Sequence, residues 1–347
     1  MSKKIQDLIS SVAPTDEVRH LKAELKRLQA ALEKRQRDAG QIHEAMADVL
    51  AEIPLATPPK MSFVPSNGDK VVATPCTHVV QASDWHIGEV VPPEHVEEFN
   101  EANYSIACER VGKFGHQIAA QTELMRHAYT INDCHVLGTA DWVSGDIHDE
   151  LIRTNEFPAP VQAVKSGFLL GAFLSGLSQH FAQVNVDLIT AGNHDRLTRK
   201  PQSADGGLNS WGYVACEIAK QHVSNIPNVK VRIHCALSAI VEIANTRYLI
   251  THGDGINGTW GIPFYGIERK KQKEAMARMN LDQSKHFDKI VIGHFHTALN
   301  HEHWLIGGSL TGTNEFDHKE GRASAPHQTS WFLHPTHGEF AWSRWWL

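Results

Sequence analysis

The sequence predicts an α/β domain with a coiled-coil helix in front of it, and three observations carry that expectation. From Val71 onward, short β-branched runs alternate with helical stretches, the pattern of strands connected by helices. Between residues 15 and 53, apolar side chains recur at alternating spacings of three and four. Five of the expected strands end in short clusters of Asp, His and Asn, where ligands gather in α/β sheets.

The coiled-coil register runs through Val18, Leu21, Leu25, Leu28 and Leu32, then Arg35, Ala39, Ile42, Met46, Val49 and Ile53. Thr15 or Asp16 can cap the helix, and Arg35 with Gly40 weakens its middle. A 3.5-residue repeat keeps one seam facing a partner, which favours self-association over a helix folded back on its own domain. A separate coiled-coil partner is the alternative occupant of that seam. Four prolines and the turn-like Ser66-Asn67-Gly68 mark residues 54–70 as a linker, leaving 71–347 as the second domain.

Within that domain the strands are expected at 77–83, 135–139, 186–190, 229–234, 239–243, 248–251 and 289–292. Helices are expected at 96–128 with a break near Gly112, then at 159–181, 210–223 and 267–287. The longest uncharged run, 166–186, contains Ser, Gln, His and Asn, and its apolar heart is too short to cross a bilayer. It reads as a buried helix. No secretory apolar stretch follows Lys3 and Lys4, and the five cysteines form no CxxC pair, so a soluble protein of a reducing cytoplasm is expected.

The 347 residues carry 33 Lys and Arg against 39 Asp and Glu, a net charge of −6, which argues against a strongly basic, duplex-coating protein. Residues 1–53 hold nine basic and nine acidic side chains, so the whole imbalance lies beyond them. The 23 histidines raise the expectation of metal or acid–base chemistry. The clusters that end the strands are Asp84-Trp85-His86, Ala140-Asp141-Trp142, Gly192-Asn193-His194-Asp195, His252-Gly253-Asp254 and Gly293-His294-Phe295-His296. Their donors are nitrogen and oxygen, suited to Mn, Fe or Zn. Alternate residues of an extended segment point the same way, so Asp84 with His86, and His294 with His296, can each converge on one site. Singly each cluster is weak: His301-Glu302-His303 has the same H-x-H form and reads as solvated surface. Five in order are much harder to ascribe to chance.

Taken together, the ordered motifs from Asp84 to His296, about two-thirds of the chain, resemble the calcineurin-like metallophosphoesterase superfamily. The segment from Gly307-Gly308-Ser309-Leu310 is similar to the close of this domain in phage-encoded, SbcD-like DNA-repair nuclease members. The resemblance implies two packed mixed β-sheets flanked by helices and two adjacent divalent metals, with Mn²⁺ the leading expectation and Fe, Zn or Mg the alternatives. It implies that Asp84, His86 and His296 hold one metal and Asn193, His252 and His294 the other, with Asp141 bridging. His194 would face the substrate as general acid, with Asp195 orienting its imidazole, while a hydroxide bridging the metals attacks phosphorus.

The chain departs from the family pattern at Ala140, where a glycine is usual, at Ser144, where a second polar ligand or support is usual, and at Asp254, where phosphatases commonly carry His. Asp146 and His148 lie close enough to stand in for Ser144, and His148 is a candidate substrate contact. Arg196, Arg199 and Lys200 follow the Gly-Asn-His-Asp turn and can grip phosphates; Arg269, Lys270, Lys271 and Lys273 form a second basic patch. The leading expectation is therefore a DNA nuclease or exonuclease, acting in the host cytoplasm if phage-encoded. A phosphatase or small-molecule phosphodiesterase with the same metals is the alternative, and a coiled-coil assembly protein with an inert domain is the third. Trp85, Trp142 and Phe295 read as packing beneath the metals, and Trp342, Trp345 and Trp346 as a final strand or sheet-edge cover.

Overall fold

A computed structural model describes residues 19, 22–30, 33, 74–201, 204, 206–256 and 263–347. The chain divides into two compact units, Met1–Ile53 and Pro54–Leu347. In the first, residues 22–30 are helical and Leu28 is exposed. Arg19 and Glu33 are also helical; the rest of the expected coiled coil, and the expected linker, lie outside the described residues.

The second unit is α/β, with two mixed sheets. One has six strands in the order β11-β10-β1-β2-β3-β4. These are β1 (Pro75–Ala82), β2 (Thr130–Gly138), β3 (Gln183–Ile189), β4 (Val229–His234), β10 (His327–His334) and β11 (Gly338–Trp346). Strands β1 to β4 run parallel, while β10 and β11 are antiparallel to their neighbours. The other sheet orders β5-β6-β7-β9-β8, from β5 (Ser238–Ile243), β6 (Thr246–Thr251), β7 (Lys289–Ile292), β8 (Leu299–His301) and β9 (Trp304–Ile306).

Alternation along each strand divides the apolar side chains between two faces. Val79, Leu137, Ile189 and Trp331 of the first sheet pack against Tyr248, Ile250, Val291 and Leu305 of the second. The opposite face of the first sheet, with Val80, Val136 and Val186, meets three helices: α1 (Tyr104–Met125), α2 (Ala159–Ser178) and α3 (Trp211–His222). The outer face of the second sheet packs Ile290 and Ile292 on Ile267 of α4 (Phe264–Arg278). The helix α2 is long and apolar enough to cross a membrane by composition, with a mean hydropathy of 1.2, yet 61% of that window is buried inside the fold.

Three expectations need correction. The helix expected over 96–128 begins only at Tyr104, because Asn103 caps it by accepting from the Ile106 amide at 3.0 Å, and it runs unbroken through Gly112. The bridge between Val91 and Ala102 holds the preceding segment out of the helix. The helix expected over 267–287 starts and ends earlier, and a separate turn, Gln283–Lys285, follows with Asp282 as its cap. Strands β8, β9 and β10 were not expected; His301, Glu302 and His303 lie at the bend of the β8–β9 hairpin, whose strands are too short for a readable period. The tryptophan-rich end does form an edge strand, β11.

Asp187 joins β2, β3 and β4 from a position 1% exposed. Its carboxylate accepts from Arg232 at 2.8 and 2.6 Å, and lies 2.7 Å from His135 Nε2 and 2.6 Å from His234 Nε2. Burial opposes ionisation, but these partners outweigh it and hold the carboxyl well below the usual carboxylate range. Asp187→Asn should therefore cost about 2 kcal/mol in urea unfolding near neutral pH. A depressed folded pKa gives stability that is complete above the unfolded value, about 4, and is lost as pH falls through the folded value. The gap between wild type and variant should thus narrow below about pH 4; a constant gap would contradict the ionic origin.

Candidate metal centre

The five clusters follow β1, β2 and β3 in one sheet and β6 and β7 in the other. Because β1 to β3 run parallel, as do β6 and β7, their carboxyl ends collect in two adjoining rows. Two hydrogen bonds tie the rows together: the His294 amide donates to Asp84 Oδ1 at 2.9 Å, and His252 Nδ1 donates to the Thr139 carbonyl at 2.9 Å.

The convergence does not come from strand alternation, as the D-x-H and H-x-H spacings suggest. Asp84, His86, Ala140, Asp141, His294 and His296 all have positive φ, between 45° and 70°. Each left-handed residue costs on the order of 1 kcal/mol and persists only where its surroundings fix it. The Asp84 amide bonds the Ala140 carbonyl at 3.2 Å and the His86 amide bonds the Asp141 carbonyl at 3.0 Å, so the two loops brace each other. Ala140 thus occupies, at 70°, a backbone conformation that favours glycine.

Asp84, His86 and His296 form one group and Asp141, His252 and His294 another, each with donor atoms within 4.8 Å of one another. His86 Nε2 faces His296 Nε2 at 3.2 Å. In the second group, Asn193 Oδ1 lies 2.9 Å from His252 Nε2 and 3.0 Å from His294 Nδ1. Asp141 stands between them. Its Oδ1 accepts the His194 amide at 2.9 Å, while its buried Oδ2 lies 2.9 Å from His252 Nε2 and 3.9 Å from His86 Nε2 without making a hydrogen bond. Without metal, Oδ2 is in ion-pair contact with His252 but out of line for a hydrogen bond, and a buried carboxylate oxygen so placed between facing imidazole nitrogens fits a pair of divalent cations. The residues present fit the group.

The protonation preferences without metal follow from burial and neighbours. Burial pushes His294 down to about 3, and lowers His86 and His194 as well. Burial also disfavours protonated His296 and His252, yet Asp317 carries His296 up to about 9 and Asp141 raises His252.

His194 joins His86 and Asp141 in a third group, with its ring centroid 4.5 Å from that of His86. The expectation that Asp195 orients the His194 ring is not met. His194 Nδ1 donates instead to the Ser144 carbonyl at 2.7 Å. Asp195 is fully buried and accepts from the amides of Asp141 at 2.8 Å, Trp142 at 2.9 Å and Val143 at 3.3 Å. It shapes the loop that carries Asp141 through these three backbone donors, while burial and the neighbouring Asp141 charge push its own carboxyl well above the usual carboxylate range. Trp85 and Trp142 are buried beneath the loops, edge to face with centroids 5.5 Å apart.

Among the expected substrate contacts, His148 is exposed, with its ring centroid 6.3 Å from that of His194. Arg196 lines a cavity of about 210 Å³ together with Gly192, Gly253 and Lys270. Arg199 pairs with Asp149, and Lys200 is exposed. Glu89 and Asp317 were missed by sequence reasoning. Asp317 Oδ2 lies 3.0 Å from His296 Nδ1, and Glu89 Oε2 lies 4.0 Å from His86 Nδ1. The one legible signal was Asn314 three residues before Asp317, which caps the turn Glu315–Lys319 by accepting from the Asp317 amide at 2.9 Å.

No family model matches the chain, and no curated protein does. Solved structures do match. Vacuolar Protein Sorting 29 from Cryptosporidium parvum is 13% identical, covering 78% of this chain and 99% of its own, with a TM-score of 0.30. Wild-type Vps29 complexed with Zn²⁺ from Entamoeba histolytica is 12% identical, covering 77% and 97%, with a TM-score of 0.26. A protein described as a predicted phosphoesterase from Streptococcus pneumoniae is 12% identical, covering 52% and 91%, with a TM-score of 0.26. Likenesses this distant say nothing about the reaction.

Two glycines permit the packing of the loops. A Cβ on Gly192 would overlap Asp141 Oδ1 and crowd Asp195 Oδ2, and one on Gly293 would overlap Ser83 Oγ and Asp84 Oδ2. Gly192→Ala should therefore displace Asp141, lowering affinity for a divalent cation by at least about tenfold and stability by about 1–3 kcal/mol. Calorimetric titration and thermal melting measure both, and an unchanged affinity would show that Asp141 is not held by this contact.

Proposed function

We propose that the chain is a two-metal-dependent phosphodiester hydrolase acting on nucleic acid, and specifically a DNA nuclease of the calcineurin-like metallophosphoesterase type. The observation that carries the reading is the buried Asp141 carboxylate between two groups of imidazole and carboxylate donors, its Oδ2 facing His252 and His86. Asp84, His86 and His296 would hold one divalent cation, Asn193, His252 and His294 the other, and Asp141 both. When bound, two such cations polarise a phosphate and acidify a water.

The remaining work falls to the chain's own side chains. With its Nδ1 proton committed to the Ser144 carbonyl, His194 can gain and give up a proton only at Nε2; burial lowers its pKa, so the ring acts as an acid only in its imidazolium form, which is then a strong donor to a leaving oxygen. Asp195, through three amides, keeps Asp141 aimed at the centre. Arg196 and Lys270 come from separate basic patches in the sequence yet line one cavity, which also touches Gly192 and Gly253 beside Asn193 and His252. Two cations in one cavity beside the proposed centre suit a phosphate that flanks the scissile one, as in a polymeric substrate, with Lys270 also paired to Glu274 at 2.8 Å. His148 stands near His194 as a further contact. We also assign the seam over 15–53 to self-association, and the five free thiols fit a reducing cytoplasm.

Purified protein with Mn²⁺ should cleave single- or double-stranded DNA in preference to a small monoester, and Asp84→Ala should abolish cleavage. His194→Ala should keep metal and lose about 10²–10⁴-fold in turnover, whereas Asp141→Ala should lose metal too. Monoester turnover without DNA cleavage would replace the nuclease reading with the phosphatase one, and equal metal loss in both variants would remove the acid role of His194. In sedimentation velocity the whole chain should be oligomeric and residues 54–347 monomeric; a monomeric whole chain would reject the coiled-coil assignment.

A further inference from the structure

The two halves of the centre are backed differently. In the half formed by Asp84, His86 and His296, each imidazole has a carboxylate behind it. Asp317 Oδ2 takes the Nδ1 side of His296 at 3.0 Å. Behind His86, Nδ1 and Glu89 Oε2 are both buried and both without a hydrogen bond, 4.0 Å apart. Closing that gap by about 1 Å would satisfy two orphaned atoms at once. Asn314 organises both carboxylates: its Nδ2 donates to Glu89 Oε1 at 2.7 Å, and its Oδ1 accepts the Asp317 amide at 2.9 Å.

The other half has no such backing among the described residues. His252 Nδ1 donates to a neutral carbonyl, that of Thr139, and the third donor is the neutral amide of Asn193. A carboxylate accepting the far proton of an imidazole makes it a stronger ligand and fixes its ring, and loss of such a partner typically lowers metal affinity about 10–100-fold. Asp141 is common to both halves and cancels from the comparison.

We propose that Glu89 and Asp317 are positioning residues that make the two metal positions unequal: the Asp84–His86–His296 position binds first and more tightly, and the Asn193–His252–His294 position fills second. The inference rests on the two-metal reading above and adds an order of loading to it. A protein built this way fills one position at a lower ion concentration than the other.

Metal-free protein titrated with Mn²⁺, followed by calorimetry and by the loss of the free-ion paramagnetic resonance signal, should show two sites at least about tenfold apart in affinity. Glu89→Gln and Asp317→Asn preserve shape and remove charge. Each should weaken the tighter site about 10–100-fold and leave the weaker one in place, so that the two affinities converge. The weaker site is the internal control, because partial misfolding lowers the stoichiometry of both sites together and leaves the affinity ratio of the folded fraction unchanged. Two equal sites in the wild type, a tight site unmoved by both variants, or equal weakening of both sites would overturn the proposal. Two unequal sites that neither variant moves would defeat this inference and leave the two-metal reading standing. Wild-type protein that binds no Mn²⁺ would overturn that reading, and this inference with it.

Discussion

Three carboxylates, those of Asp84, Asp141 and Asp195, are taken almost wholly out of water at one place, and the rest of the domain is arranged around compensating them. A buried carboxylate without donors is among the costliest things a fold can contain. Asp195 is met by three backbone amides, Asp84 by the Ser83 hydroxyl and the His294 amide, and Asp141 by the His194 amide at one oxygen. Those donors come from the ends of strands in both sheets. The two sheets must therefore finish at a common edge, and the loops leaving them must turn sharply enough to point amides inward.

Sharp turning has its own cost, visible in six left-handed residues at the site. A polar floor beneath the loops holds them in place. Gln81 donates to the Ile292 carbonyl at 2.8 Å across the gap between sheets, and Gln328 bonds both the amide and the carbonyl of Ser83, at 2.9 and 2.8 Å. Thr139 adds a hydroxyl contact to Ser83 at 2.7 Å. Strain at the surface of the floor is thus offset by fully satisfied groups within it, which is how functional loops commonly keep unfavourable backbone.

How much of this the sequence discloses varies with the kind of information involved. The strands at 229–234 and 289–292 were legible to the residue because β-branched runs bounded by turns have a strong local signature. The proposed ligands were legible because each motif is contiguous and ends a strand. Asp195 was legible as a site residue but not in its role, since which donor a carboxylate finds depends on how the loop closes. Glu89 and Asp317 were invisible: they lie three residues after His86 and 21 after His296, and only the fold brings them behind the two rings. Strand β10 was hidden for a related reason, because its buried Gln328, Thr329 and Ser330 read as surface until their hydrogen-bond partners are known.

That hidden strand bears on how the molecule is made. Among the described strands β1 leaves the ribosome first, and its partner on one side is β10, with Thr77 opposite Leu333 and Gln81 opposite Thr329. Until residues near 330 have emerged, β1 keeps an open edge and Ser83 lacks the side chain that pins it. The parallel neighbours β2 and β3 can assemble during synthesis, but the loop bearing Asp84 cannot settle until almost the whole domain is present. An unfinished chain would thus carry most of its core, with Asp141 and Asp195 already in contact, but without the loop geometry that brings Asp84 to the other candidate ligands.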